Sequence, residues 1–185
     1  MREWYFILHG WHEFYAFAGA AAATLLGLMF VVMTLNQSAL TTEAGSRVLR
    51  AFFTPTVAFF TTIIVIAMVM LIPETSPSAL AGMLGAVAVV GVLYMVASGV
   101  HRMWRANDLG LDDLLWYVIL PYVGYAAFGA AAVGVWIAGA GVWTVLPISL
   151  YAAATAVFLL LLAGIRNAWD LVVYNIQRRG GGSQG

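Results

Sequence analysis

Five apolar stretches, near residues 14–36, 51–72, 79–100, 115–138 and 142–165, account for most of this chain, each bounded by Pro, Gly or charge. A helix needs about 20 apolar residues to cross the hydrocarbon of a bilayer, and a span in lipid must satisfy its backbone polar groups within itself or in a closed barrel. Runs of this length without strict alternation predict helices. Composition excludes a soluble fold: 63% of the 185 residues are apolar and 9% are charged, against about a quarter charged in ordinary domains. Roughly a third of the unfolded chain's surface stays exposed even after a domain of this size folds, so lipid has to cover it. The expected fold is all-α, a polytopic transmembrane bundle of five spans. Residues 1–179 form its one domain, including a helical extension at 166–179, and 180–185 form a flexible Gly-rich tail.

The connections orient the bundle. Those at 37–50 and 101–114 are long and carry arginines, whereas 73–78 and 139–141 are minimal and carry none. Arg47, Arg50, Arg102, Arg105, Arg166, Arg178 and Arg179 therefore fall on one side, with Arg2 alone on the other. Basic residues gather in the cytoplasm, so the N-terminus is expected outside and the C-terminus inside. Tryptophan favours the headgroup level. Trp4, Trp11, Trp136 and Trp143 fall at the expected outer interface, and Trp104, Trp116 and Trp169 at the inner one.

A cleaved signal peptide is considered because Arg2 precedes an apolar run reaching Ala16-Phe17-Ala18. His9, His12 and Glu13 interrupt that run, which continues to Leu35, so a retained first span is expected. Past the fifth span, Trp169, Val172, Val173 and Ile176 keep helical spacing, as in a helix lying along the inner leaflet or on a cytoplasmic partner.

No Asp, Glu, Arg or His lies near the middle of any span. Such residues mark proton relays, so a proton-coupled pump is not expected. Cysteine is absent, which removes disulfides and thiolate chemistry, and the charge pattern offers nothing to nucleic acid. No catalytic residue and no cofactor are expected: Ser98 and His101 make a conceivable dyad, but no orienting carboxylate follows them. The histidines also lie at unmatched depths for haem.

Four residue groups remain as candidate sites. His9, His12 and Glu13 sit three and four apart and suit a divalent metal at the outer surface, or ordinary interfacial polarity. Thr54, Thr61 and Thr62 share a side of the second span, either as a pore wall or bonded to their own helix, with Pro55 in that span's first turn. Gly19, Ala23 and Gly27, with Ala130 and Gly134, carry the small-residue spacing that lets helices approach, within one bundle or between subunits. Arg102 and Arg105, with the pair Arg166 and Asp170, offer a cytoplasmic docking surface.

The segment Trp11-His12-Glu13-Phe14-Tyr15, followed by Gly19 and the run from Ala20 to Val32, resembles the opening of a group of small bacterial integral membrane proteins of unknown function. The closing Ala168-Trp169-Asp170-Leu171 resembles the same group, some of which are automatically labelled modulators of a membrane ATP-dependent protease. The resemblance implies a multi-pass protein of the bacterial inner membrane and supplies no catalytic residues. The expectation is a non-enzymatic subunit in the lipid bilayer that self-associates as a homo-oligomer or docks on another membrane protein. Its alternatives are a small oligomeric channel or facilitator and an outer-surface metal or ligand sensor.

Overall fold

Backbone groups that water cannot reach must find partners along their own segment, and the computed structural model meets this demand with helices throughout. It describes residues 2–35, 43–98 and 114–181. The elements in order are α1 (Arg2–His9), α2 (His12–Leu35), α3 (Glu43–Met70) and α4 (Pro77–Ala97). A π-helical turn (Leu115–Ile119) then runs into α5 (Leu120–Gly139), and a short 3-10 turn (Trp143–Val145) leads into α6 (Leu146–Gly181).

Among the described residues, four helical stretches are long and apolar enough to cross a membrane. They are Glu3–Thr34 (α1 and α2 together), Pro77–Ala97, Leu115–Gly139 and Trp143–Asp170. The apolar part of α3, Thr54–Met70, is shorter. By length and composition these helices are compatible with a membrane protein.

Local chemistry sets several boundaries. Ser76 caps α4, its hydroxyl accepting from the Ala79 N–H at 3.2 Å, and Pro77 follows where the missing N–H costs nothing. Gly141, at φ +109°, turns the chain between α5 and α6. Pro55 sits in the interior of α3, not in a first turn. The apolar window alone suggested a start near residue 51, but the helix begins eight residues earlier through a more polar segment. The π-turn ends just before Pro121, with the Leu120 N–H reaching back to the Leu115 carbonyl. Pro121 has no N–H and its ring crowds the preceding turn, a strain that a widened turn relieves.

Helix α2 packs on α3, α3 on α6, α6 on α5 and α5 on α4, while α3 and α4 meet only locally. The core between them holds Phe59, Phe60 and Ile63 of α3, Leu84 of α4, Phe128 of α5 and Leu160 of α6, all fully buried. Small residues set the closest approaches. A Cβ on Gly19 would sit 2.6 Å from that of Ala67, and one on Gly134 would strike Ser149. Ala23, Gly27 and Ala130 face outward instead, and nothing lies within 4 Å of where a Gly27 side chain would begin.

Helix α1 kinks away from α2 at Gly10-Trp11, where the Gly10 N–H bonds Phe6 and the Trp11 N–H bonds Leu8. It fastens the end of the bundle that carries both short turns. Trp4, 1% exposed, donates its indole N–H to the Thr75 carbonyl at 2.7 Å and tilts against Trp143 at 6.5 Å between ring centroids. The turn after α3 and the turn before α6 are thereby held by one side chain. Alongside, Trp11 meets Tyr151 edge to face at 5.1 Å and Phe14 meets Phe158 at 5.5 Å, joining α2 to α6.

Candidate functional site

Where α3 and α4 separate, the structure leaves a cleft of about 540 Å³. Thr54, Thr61 and Thr62 of α3 all line it, opposite Gly91 and Tyr94 of α4, with Tyr125 of α5 beside them. The three threonines singled out by sequence are thus brought to one wall. Thr62 donates its hydroxyl proton to the Ala58 carbonyl at 2.9 Å, as a helical threonine in an apolar setting does. Its oxygen also lies 3.2 Å from the Tyr125 hydroxyl, so Tyr125 is the donor in that contact. The Tyr94 hydroxyl is buried with no hydrogen-bond partner. The remaining wall is aliphatic: Val57, Val65, Val87 and Val90. Nothing in this lining is a general base or an activated nucleophile. Its lining is apolar with a few hydroxyls.

A larger concavity, about 820 Å³, opens at the end that α1 fastens. One side is α1 with Glu3, Phe6 and His9, followed by His12; the other is the α3–α4 turn with Ile72, Pro73 and Glu74. Glu74 holds a left-handed backbone, φ 52°, and its carbonyl lies 3.5 Å from the Tyr5 hydroxyl, which donates to it. His9 and His12 meet edge to face, ring centroids 4.8 Å apart. Glu13 is exposed and is not part of the wall. Among the described residues no group of three His, Asp or Glu side chains stands close enough to hold a metal ion.

At the opposite end, the π-turn and α6 are tied through Asp170. Its carboxylate accepts from the Tyr117 hydroxyl in a short contact, and Arg166 Nε stands 3.4 Å from the same oxygen. Arg166 is 43% exposed and Asp170 23%, so solvent screens the ion pair and the tyrosine bond is the firmer tie. Next to them Asn167 is fully buried with neither amide atom partnered. Arg102 and Arg105 lie outside the described residues, as does His101. Ser98 donates to the Met95 carbonyl at 3.0 Å, an ordinary helix-end contact.

Sequence reading missed Tyr94, Tyr125 and Tyr117, and it took Asn167, which is fully buried, for solvated polarity where the last helix leaves the bilayer. Each was an uncharged side chain within or beside an apolar run, and only the packing of a second helix gives it meaning. Glu3 and Glu74 lie far apart in the sequence, yet they share a cavity with His9 and His12 because α1 bends over the α3–α4 turn.

No family model, no curated protein and no solved structure matches this chain.

Proposed function

We propose that this protein is a five-span subunit of the bacterial inner membrane, with its N-terminus outside and its C-terminus in the cytoplasm. It performs no catalysis and acts by binding other membrane proteins or further copies of itself. The observation that carries this reading is the length of α6. Its 36 residues make a helix about 54 Å long, against about 30 Å of hydrocarbon, so some 20 Å of it stands clear of the bilayer. The projecting end carries Arg166, Arg178 and Arg179, matching the basic bias of a cytoplasmic face.

Two features support the rest. The Thr54–Met70 stretch of α3 is about 25 Å of apolar helix, at the short end of the range for spans, and α3 packs between α2 and α6 as a fifth member. The outward Ala23 and Gly27 leave α2 a smooth face for a neighbouring helix.

The test is native mass spectrometry of the protein purified in nanodiscs, beside a chain ending at Asp170 and a Gly27→Leu variant. A homo-oligomer or stoichiometric membrane partner lost in one of these variants is the expected result. A bare monomer in every preparation would end the reading. Because the chain contains no Cys, single cysteines at Ser76 and Ser183, probed with an impermeant maleimide, test topology separately; they should label from opposite sides.

A channel is the second reading, favoured by the gathering of Thr54, Thr61 and Thr62 on one cleft. It requires that liposome flux fall in a Thr61→Val, Thr62→Val variant.

A further inference from the structure

We propose that the cavity beneath α1 is a binding site for an amphiphilic ammonium ion, a positively charged nitrogen head on an apolar tail. Among the described residues, the charged side chains lining it are Glu3 on α1 and Glu74 on the α3–α4 turn, both carboxylates, and none is Lys or Arg. Two carboxylates on separate elements facing one space attract a cation. Among the described residues no three potential ligands converge there, which argues against a metal. A molecular cation is larger, and a cavity of about 820 Å³ falls within the 300–1,000 Å³ typical of sites for drug-sized ligands.

The remaining lining matches the two halves of such a ligand. Tyr5 and Phe6 contribute aromatic side chains to the same lining, and aromatic ring faces attract quaternary or primary ammonium groups through the π quadrupole. Ile7, Ile72 and Pro73 provide the apolar surface that a tail requires. His9 and His12 add ring nitrogens that, when neutral, accept hydrogen bonds from a primary ammonium. The wall is held in shape: Trp4 bonds Thr75 and Tyr5 bonds Glu74, so the α1 side and the turn side are fixed to each other across the cavity. Phe6, 82% exposed, forms the open edge of this wall.

The head group has two sources, the amine of a zwitterionic phospholipid or a free amphiphilic cation, and the experiment separates them. The full chain is reconstituted in nanodiscs made of phosphatidylglycerol alone and titrated with dodecyltrimethylammonium, reading tryptophan fluorescence. Dodecyl maltoside, with the same tail and no charge, serves as control. Saturable binding of the cation but not of the control is expected, with affinity falling at least tenfold in the Glu3→Gln, Glu74→Gln double variant. Both positions are exposed, so the substitutions leave the fold intact, which far-UV circular dichroism checks.

In parallel, nanodiscs containing phosphatidylethanolamine are examined by native mass spectrometry for lipid retained in the wild type and released in the double variant. Retention with loss in the variant identifies the phospholipid as the natural occupant; saturation by the added cation alone identifies a free amphiphile. Equal binding of cation and neutral control, or binding unchanged by the double variant in both arms, overturns the proposal.

Discussion

Replacing Gly91 by Ala places a methyl group against the ring of Tyr125, and the structure indicates how far that disturbs the bundle. A Cβ at this position would meet Cε1, Cδ1 and Cζ of the ring, the farthest of the three at 2.6 Å. The ring has little room to retreat, being 1% exposed and held by its hydroxyl to Thr62. Overpacking of this kind costs about 1–3 kcal/mol, while alanine's better helix propensity returns up to about 1 kcal/mol. The expected net loss is about 1–2 kcal/mol. Gly82 on the same helix is the internal control, since nothing lies within 4 Å of a side chain added there. Gly82→Ala should be neutral or stabilising by up to about 1 kcal/mol. Both variants are unfolded by adding sodium dodecyl sulfate to mixed micelles, followed by circular dichroism. Pairing Gly91→Ala with Tyr125→Leu completes a cycle in which the second change should recover most of the loss charged to the first. If Gly91→Ala proves as stable as Gly82→Ala, the close approach of α4 and α5 at this point is wrong.

Three further outcomes are expected. Trp4→Phe strands the Thr75 carbonyl and should cost about 1–3 kcal/mol in the same titration, with faster amide exchange confined at first to residues 71–76; exchange that does not change there would show that the indole is not the fastening. Tyr117→Phe removes a hydrogen bond to the Asp170 carboxylate and should lower stability by about 1–2 kcal/mol, less than the upper range for charged acceptors because Asp170 is partly solvated. Asn167→Leu exchanges a buried amide lacking partners for an apolar side chain of similar size and should raise stability by about 1–3 kcal/mol; a loss instead would reveal that the amide is satisfied by water or by another chain.

Helices and their approximate limits were readable from the apolar windows, because lipid imposes a length and forbids unsatisfied backbone. The third and fourth windows show this well: 79–100 and 115–138 correspond to Pro77–Ala97 and Leu115–Gly139. The second did not reveal that α3 starts at Glu43, since the added turns are not apolar and hydropathy is blind to helix outside the hydrocarbon. Faces were less legible than lengths. Gly19, Ala23 and Gly27 carry one spacing, yet only Gly19 packs tightly, against Ala67; the other two look outward. In a helix that is apolar all round, the pattern does not say which side meets protein and which meets lipid. Trp4 illustrates the same ambiguity, for a tryptophan near a membrane end reads as a headgroup anchor, and this one is buried among other residues of its own chain. The threonine wall was visible because three hydroxyls stand out in such a sequence. Its partners Tyr94 and Tyr125 were not, since they belong to helices whose juxtaposition no local pattern encodes.

The indole bond from Trp4 to Thr75 joins residues 71 positions apart. On a ribosome adding about 5–20 residues per second, roughly 4–14 s pass between the synthesis of the two. Trp143, the second surface that Trp4 touches, is made later still. The earliest helix to be made is therefore among the last to find its place. Until then its apolar side, with Trp4 and Leu8, lacks the partners that bury it in the finished bundle. In a nascent chain α1 cannot make these contacts until the turns it packs against have been synthesised.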